Sequence, residues 1–274
     1  MEPVRRTHYQ VTFGVLAAGI GAYSLLQSLV IPVLGTVAKE LHTSQDAVTW
    51  VLTAYLLSAA VMTPILGRVG DMYGKKRMFV AALAALAVGS VLAAVAPNIG
   101  VMIVARVIQG VAGGMLPLGF GIVRDEFPAG RVPGAVGILA ALTAVGGGLG
   151  IVLAGPIVDA LGWRWLFWLP GVLTAMAAVG AVLFVPESPV RSPGTISWLP
   201  AVLLTGWLVA LLVPLSEASQ WGWGSPAVIG LLVAAVVVAA AWVWAELRSA
   251  TPLIDMKMMR RPAVWTNNLV ALLI

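Results

Sequence analysis

The sequence predicts an all-α protein that crosses a membrane repeatedly, and three observations predict it: composition, long apolar runs and the placement of basic residues. Hydrophobic residues make up 60% of the 274-residue chain and charged residues only 10%. A soluble domain covers its surface with about 25% charged residues, so most of this surface faces something other than water. The mean hydropathy of +0.99 agrees. Eight apolar runs each approach or exceed the ~20 residues that a membrane helix needs: 11–35, 47–67, 78–96, 99–123, 132–158, 165–185, 196–215 and 226–245. A ninth opens at Pro262. The runs lack the alternation of a barrel wall.

The basic residues orient these runs. With the N-terminus in the cytoplasm, the inner loops hold Arg5, Arg6, Arg68, Lys75, Lys76, Arg77, Arg124, Arg131, Arg191, Arg248, Lys257, Arg260 and Arg261. The outer side holds only Lys39 and Arg164, and Arg106 is left inside a run. Cytoplasmic loops concentrate Lys and Arg, so the expected location is a bacterial inner (plasma) membrane with the N-terminus inside. No small-residue cleavage site follows the first eight residues, so the first run reads as a retained helix. The net charge of +5 sits in these loops and needs no nucleic acid to explain it. The lipid bilayer is the expected partner.

Element by element, the first six runs form one bundle over 1–186. The segment Pro186–Gly194 is rich in proline and marks a cytoplasmic linker at 187–195. Two further spans occupy 196–245, a basic cytoplasmic loop 246–261, and the start of another span 262–274. The chain stops inside that last apolar run, so it reads as a cut portion of a longer protein.

Cysteine is absent and only His8 and His42 are present. Thiolate and histidine metal sites are thereby excluded, as are cysteine nucleophiles. No cofactor, metal or catalytic residue is expected. Each carboxylate is expected in a loop or at a helix end, including Asp71, Asp125, Glu187, Glu217 and Glu246. No paired acids of an intramembrane enzyme stand out.

Four runs carry candidate functional residues. The turn after the second span reads Gly67-Arg68-Val69-Gly70-Asp71-Met72-Tyr73-Gly74-Lys75-Lys76-Arg77. Its glycines permit a tight turn, and Asp71 can cap or lie against a helix N-terminus. Arg106 in the fourth span is costly at about 2.5–3.5 kcal/mol in mid-membrane, and Gln109 lies three residues on, on the same helix face. The alternative is an arginine that snorkels to the outer surface. In the fifth span Gly146, Gly150 and Ala154 recur every fourth residue, with Gly155 beside them, and let another helix approach closely. In the first span Tyr23 and Gln27 are i and i+4 and share a stripe with Ser24 and Ser28. The neighbouring Trp50, Thr53 and Tyr55 offer similar groups.

These motifs resemble those of the major facilitator superfamily, and specifically its fourteen-span drug:proton antiporters. The Gly67-x-x-x-Asp71-x-x-Gly74 turn resembles the superfamily's signature between spans two and three. The resemblance implies that Gly67, Arg68, Gly70, Asp71, Gly74 and Lys75 form a cytoplasmic latch. The Arg106-x-x-Gln109-Gly110 run resembles the proton-coupling motif of the fourth span. The fifth span resembles the antiporter signature but departs from it: Ile151 follows Gly150 where the signature has proline, and Pro156 comes later. Tyr23 stands where many of these exporters carry an aspartate. The two spans after the sixth are a mark of the fourteen-span group. The resemblance implies export of small amphipathic organic compounds by alternating access, coupled to protons. Arg106, Gln109, Tyr23 and Gln27 would line the pathway. The bilayer, substrate and protons would be partners, together with a missing C-terminal bundle or second chain. The other expectation is a non-transporting remnant or a half-transporter module.

Overall fold

The computed structural model describes residues 9–188, 197–249, 251–254 and 256–273. Arg5, Arg6, His8, Arg191, Asp255 and the linker from residue 189 lie outside the described residues. Among those described, every regular element is helical, and eight are long and apolar enough to cross a membrane. The chain forms two compact units, Met1–Pro193 and Gly194–Ile274.

In the first unit, α1 (Tyr9–Leu29) ends just before Pro32 and continues through a 3₁₀ turn into α2 (Leu34–Glu40). α3 (Gln45–Tyr73) starts at Ser44, whose side chain accepts a hydrogen bond from the Ala47 amide at 3.1 Å. α4 is Lys75–Ala94. α5 (Ile99–Gly110) starts at Asn98, which accepts from the Val101 amide at 3.0 Å. Such caps satisfy amides that the first helical turn leaves free. A 3₁₀ segment at Val111–Gly114 joins α5 to α6 (Met115–Glu126), and the two make one span. α7 (Val132–Leu161) and α8 (Trp165–Phe184) complete the unit.

α1 packs against α7 and α8, α3 against α5, and α4 against both α5 and α8. Leu16, Ile20, Leu26, Phe79, Leu83, Leu86, Met115 and Phe167 fill the interior. Val88, Val91, Val172, Met176, Val179 and Leu183 stand exposed on α4 and α8, where lipid is the natural solvent. Lipid tails are as apolar as leucine, so close packing and interhelical hydrogen bonds hold such helices together.

The second unit pairs α9 (Trp198–Trp221) with α10 (Pro226–Arg248), and the rings of Trp207 and Trp242 lie 5.8 Å apart between them. The Ser197 and Ser249 hydroxyls meet at 2.7 Å, and a Glu246 oxygen accepts from the Leu253 amide at 3.0 Å. Two short helices follow, α11 (Met256–Met259) and α12 (Pro262–Leu273).

The helices outrun the apolar stretches, and this corrects two expectations. α3 continues through Tyr73, so Gly67, Arg68, Gly70 and Asp71 belong to its last turns; the turn itself is Gly74 alone, at φ 120°. Only a residue without Cβ enters that region cheaply. α9 continues to Trp221 and carries Glu217 inside it at 4% exposure. Hydropathy falls where side chains turn polar, whereas a helix stops only where its backbone is broken.

Candidate functional site

A continuous hydrogen-bonded network crosses the interior of the first unit. Arg106 on α5 is completely buried, which excludes the snorkelling arrangement. Its Nε donates to the Val51 carbonyl on α3 at 2.9 Å, and its Nη1 to Gln109 Oε1 at 2.8 Å. Gln109 Nε2 in turn donates to Ser90 Oγ on α4 at 3.0 Å, and Ser90 donates to the Leu86 carbonyl at 2.7 Å. The guanidinium also lies over the Tyr55 ring, 4.1 Å from its centre. Such a cation–π contact is worth about 2 kcal/mol when desolvated. One guanidinium nitrogen, Nη2, has no protein partner, and no ion pair to Arg106 exists among the described residues. The site is thus a buried cation held by a carbonyl, an amide and a ring.

The packing that holds this network is close. A Cβ on Gly89 would lie 2.9 Å from the Ala105 carbonyl oxygen, and one on Gly110 would lie 2.7 Å from that of Tyr55. These glycines bring α4 and α3 onto α5 so that their backbones and short side chains reach the arginine and glutamine.

Tyr55 leads from the network to an open cavity. Its ring centre is 6.3 Å from that of Tyr23. Tyr23, Ser24, Gln27, Ser28, Thr63, Thr143 and the apolar Ile31, Leu116 and Ile151 line a cavity of about 560 Å³. The structure therefore brings Tyr23 and Gln27 together and connects them to Arg106 and Gln109 through Tyr55. The fifth span supplies Thr143, Gly147 and Ile151 to the lining, and its other glycines seat α7 on α1: added Cβ atoms on Gly146 and Gly150 would strike Ser24 and Ser28 of α1. Ala154 is buried on that same face, while Gly155 is exposed with no atom near its Cβ position and takes no part in the contact.

The cytoplasmic end carries a second polar cluster. Lys75 Nζ sits 2.8 Å from Asp125 and 3.5 Å from Asp71. The Lys75 and Asp125 side chains are nearly buried, whereas that of Asp71 is 48% exposed. Asp71 caps no helix: the carboxylate at the start of α4 belongs to Glu187, which accepts from the Lys76 amide at 3.1 Å and approaches Arg77 Nε at 3.6 Å. A helix start attracts a carboxylate through its free amides. Ser188 donates to Asp125. A Cβ on Gly74 would meet the Glu187 carboxylate at 2.5 Å, and one on Gly70 would strike Leu118. Gly67 faces open space, and Arg68 joins no ion pair among the described residues. Asp125, Glu187 and Ser188 are not recognisable as members of this cluster in the sequence, because nothing in local spacing brings them to Lys75 and the start of α4.

Residues 16–247 match the family profile of the Major Facilitator Superfamily. The tetracenomycin C resistance and export protein of Streptomyces glaucescens is 30% identical over 91% of this chain and 47% of its own length. The multidrug resistance protein B homolog of Mycobacterium tuberculosis is 35% identical over 85% of this chain and 44% of its own length. In structure, the chain is similar to an auto-inhibited POT family peptide transporter, with a TM-score of 0.59 and 18% identity. That likeness covers 87% of this chain and 52% of the other. The chain spans about half the length of the curated relatives it matches, or less.

Proposed function

This chain belongs to the Major Facilitator Superfamily, and from that premise we propose that it forms the N-terminal part of an exporter of small amphipathic organic compounds. Export uses alternating access, in which two bundles rock about a shared site, and draws on the proton gradient. The observation that supports this most directly is the cavity lined by Tyr23 and Gln27 and linked through Tyr55 to a fully buried Arg106. A buried intramembrane charge is a functional residue by default, given its cost. The similarity to a tetracenomycin C resistance and export protein and to a multidrug resistance protein homolog supports the substrate class.

The reading includes a second bundle, supplied by further sequence or by a second chain, because this cavity has walls from one bundle only. A half-transporter module is the same proposal with the second bundle on another chain. The cytoplasmic cluster is the latch. Asp71, half exposed on the last turn of α3, is free to meet that second bundle, whereas Asp125 is committed to Lys75.

The two acids give the test. Asp71→Asn is expected to abolish most drug efflux from cells expressing the gene's full product, with its membrane level and melting temperature nearly unchanged. An exposed pair contributes under about 1 kcal/mol. Asp125→Asn is expected to lower stability by about 3 kcal/mol, as breaking a largely buried pair does. Normal efflux by Asp71→Asn at matched expression would overturn the latch.

The orientation belongs to the same proposal, with the N-terminus in the cytoplasm. A reporter within the linker at 187–195 is expected to read cytoplasmic, and one in the turn at Gly222-Trp223-Gly224 external. The reverse pattern would place the latch on the wrong side.

A further inference from the structure

Besides the Tyr23 phenol, four serine and threonine hydroxyls line the cavity that holds Tyr23 and Gln27, and the structure commits the protons of these four. Ser24 donates to the Thr143 carbonyl at 2.5 Å and Ser28 to the Gly146 carbonyl at 3.0 Å. Thr63 donates to the Ala59 carbonyl at 2.6 Å and Thr143 to the Ala140 carbonyl at 2.5 Å. A hydroxyl has one proton and two lone pairs. With the proton spent on a backbone carbonyl, which can only accept, each hydroxyl has acceptor capacity left for the cavity.

The charge of the cavity points the same way. None of its lining residues is acidic. Behind the lining, across Tyr55, the Arg106 guanidinium lies no more than about 10 Å from the Tyr23 ring. At that distance in a medium of intermediate dielectric, a bound cation would lose a factor of roughly ten in affinity. Ile31, Leu116, Pro117 and Ile151 supply apolar surface beside the Tyr23 ring.

We propose that this cavity takes uncharged aromatic compounds bearing hydroxyl groups, and discriminates against cations. Substrate hydroxyls donate to the committed serines and threonines, and the ring system lies against Tyr23 and the aliphatic wall. The inference rests on reading this cavity as the substrate site.

The test is equilibrium dialysis of the full chain in lipid nanodiscs, with empty discs subtracted. Three probes are compared: a naphthalenediol, its dimethyl ether and tetraphenylphosphonium. The diol is expected to bind about tenfold more tightly than the ether, because the ether cannot donate to the acceptors. The phosphonium is expected to show no saturable binding. Thr63→Val keeps the side-chain shape, and is expected to weaken the diol about fivefold while leaving the ether unchanged. Gln27→Glu is expected to bring in phosphonium binding. Equal affinity for diol and ether, phosphonium binding by the unaltered chain, or no binding of any probe would each overturn the proposal. The assay needs no gradient. Selective diol binding without efflux would remove the transport reading alone; Asp71-dependent efflux of cations would remove the substrate class alone.

Discussion

Replacing Arg106 with alanine is expected to abolish gradient-driven export, with a loss of at least about a hundredfold in initial rate, or about 2.7 kcal/mol of barrier. The side chain's surroundings account for the size of the loss. Arg106 is wholly buried and spans two acceptors, the Val51 carbonyl and Gln109, while lying over Tyr55. Lysine keeps the charge but loses the planar fork that bonds in two directions. Arg106→Lys is therefore expected to recover only about a tenth of the rate. Arg106→Met separates function from folding. The arginine has no ion-pair partner among the described residues, so a methionine removes a desolvated charge. Its melting temperature is expected to hold or rise, as when other buried charges give way to apolar residues. Efflux from vesicles with an imposed pH gradient, at equal protein level, measures all three. Full activity in the lysine variant would leave the network without a part in coupling.

Gly110→Val is expected to be the most damaging structural change, costing about 3 kcal/mol or more through overpacking. The backbone of Gly110 is ordinary helix, at φ −61°, so no strained dihedral is involved. The cause is proximity: a Cβ there would lie 2.5 Å from Ser58 Cβ and 2.7 Å from the Tyr55 carbonyl oxygen. The carbonyl is backbone and cannot rotate away, so α3 and α5 must separate. Separation moves the Val51 carbonyl and the Tyr55 ring off Arg106. Gly148→Val is the control, since nothing lies within 4 Å of its Cβ position. Size-exclusion profiles after heating, in detergent, would show early loss of Gly110→Val and an unchanged control. Equal melting of the two variants would contradict the close α3–α5 approach.

Much of this arrangement is legible in the residues alone, and the boundary of legibility is physical. Apolar runs announce the spans, because a bilayer demands ~20 apolar residues in each. They end early where a helix carries polar side chains out of the lipid, which is why the second run stops at Gly67 whereas α3 reaches Tyr73. Arg106 with Gln109 and Tyr23 with Gln27 are legible because helical periodicity sets their shared faces. Their partners are not: Val51, Tyr55 and Ser90 reach Arg106 and Gln109 only through tertiary packing. The same holds for Asp125 and Glu187 around Lys75 and Gly74, where the local pattern pointed to Asp71 as the capping acid. The fifth-span glycines were legible as a packing face, but only the fold shows that Ser24 and Ser28 occupy it and that Gly155 lies off it.

The Arg106 network also has an order in time. A multispan chain is made from its N-terminus and enters the bilayer span by span. Every group that holds the Arg106 and Gln109 side chains beyond their own helix, namely Val51, Tyr55 and Ser90, precedes them in the chain. When α5 leaves the ribosome, the acceptors for its arginine are already in place, so the most costly residue of the first unit never has to wait in lipid for a partner. The serines of α1 face the opposite schedule, because their contacts on α7 are made over a hundred residues later. Ser28 bridges that interval within its own helix, through the Ser24 and Leu25 carbonyls. A circular permutation that opens the chain between α4 and α5 would bring α5 out before α3 and α4 and remove this advantage.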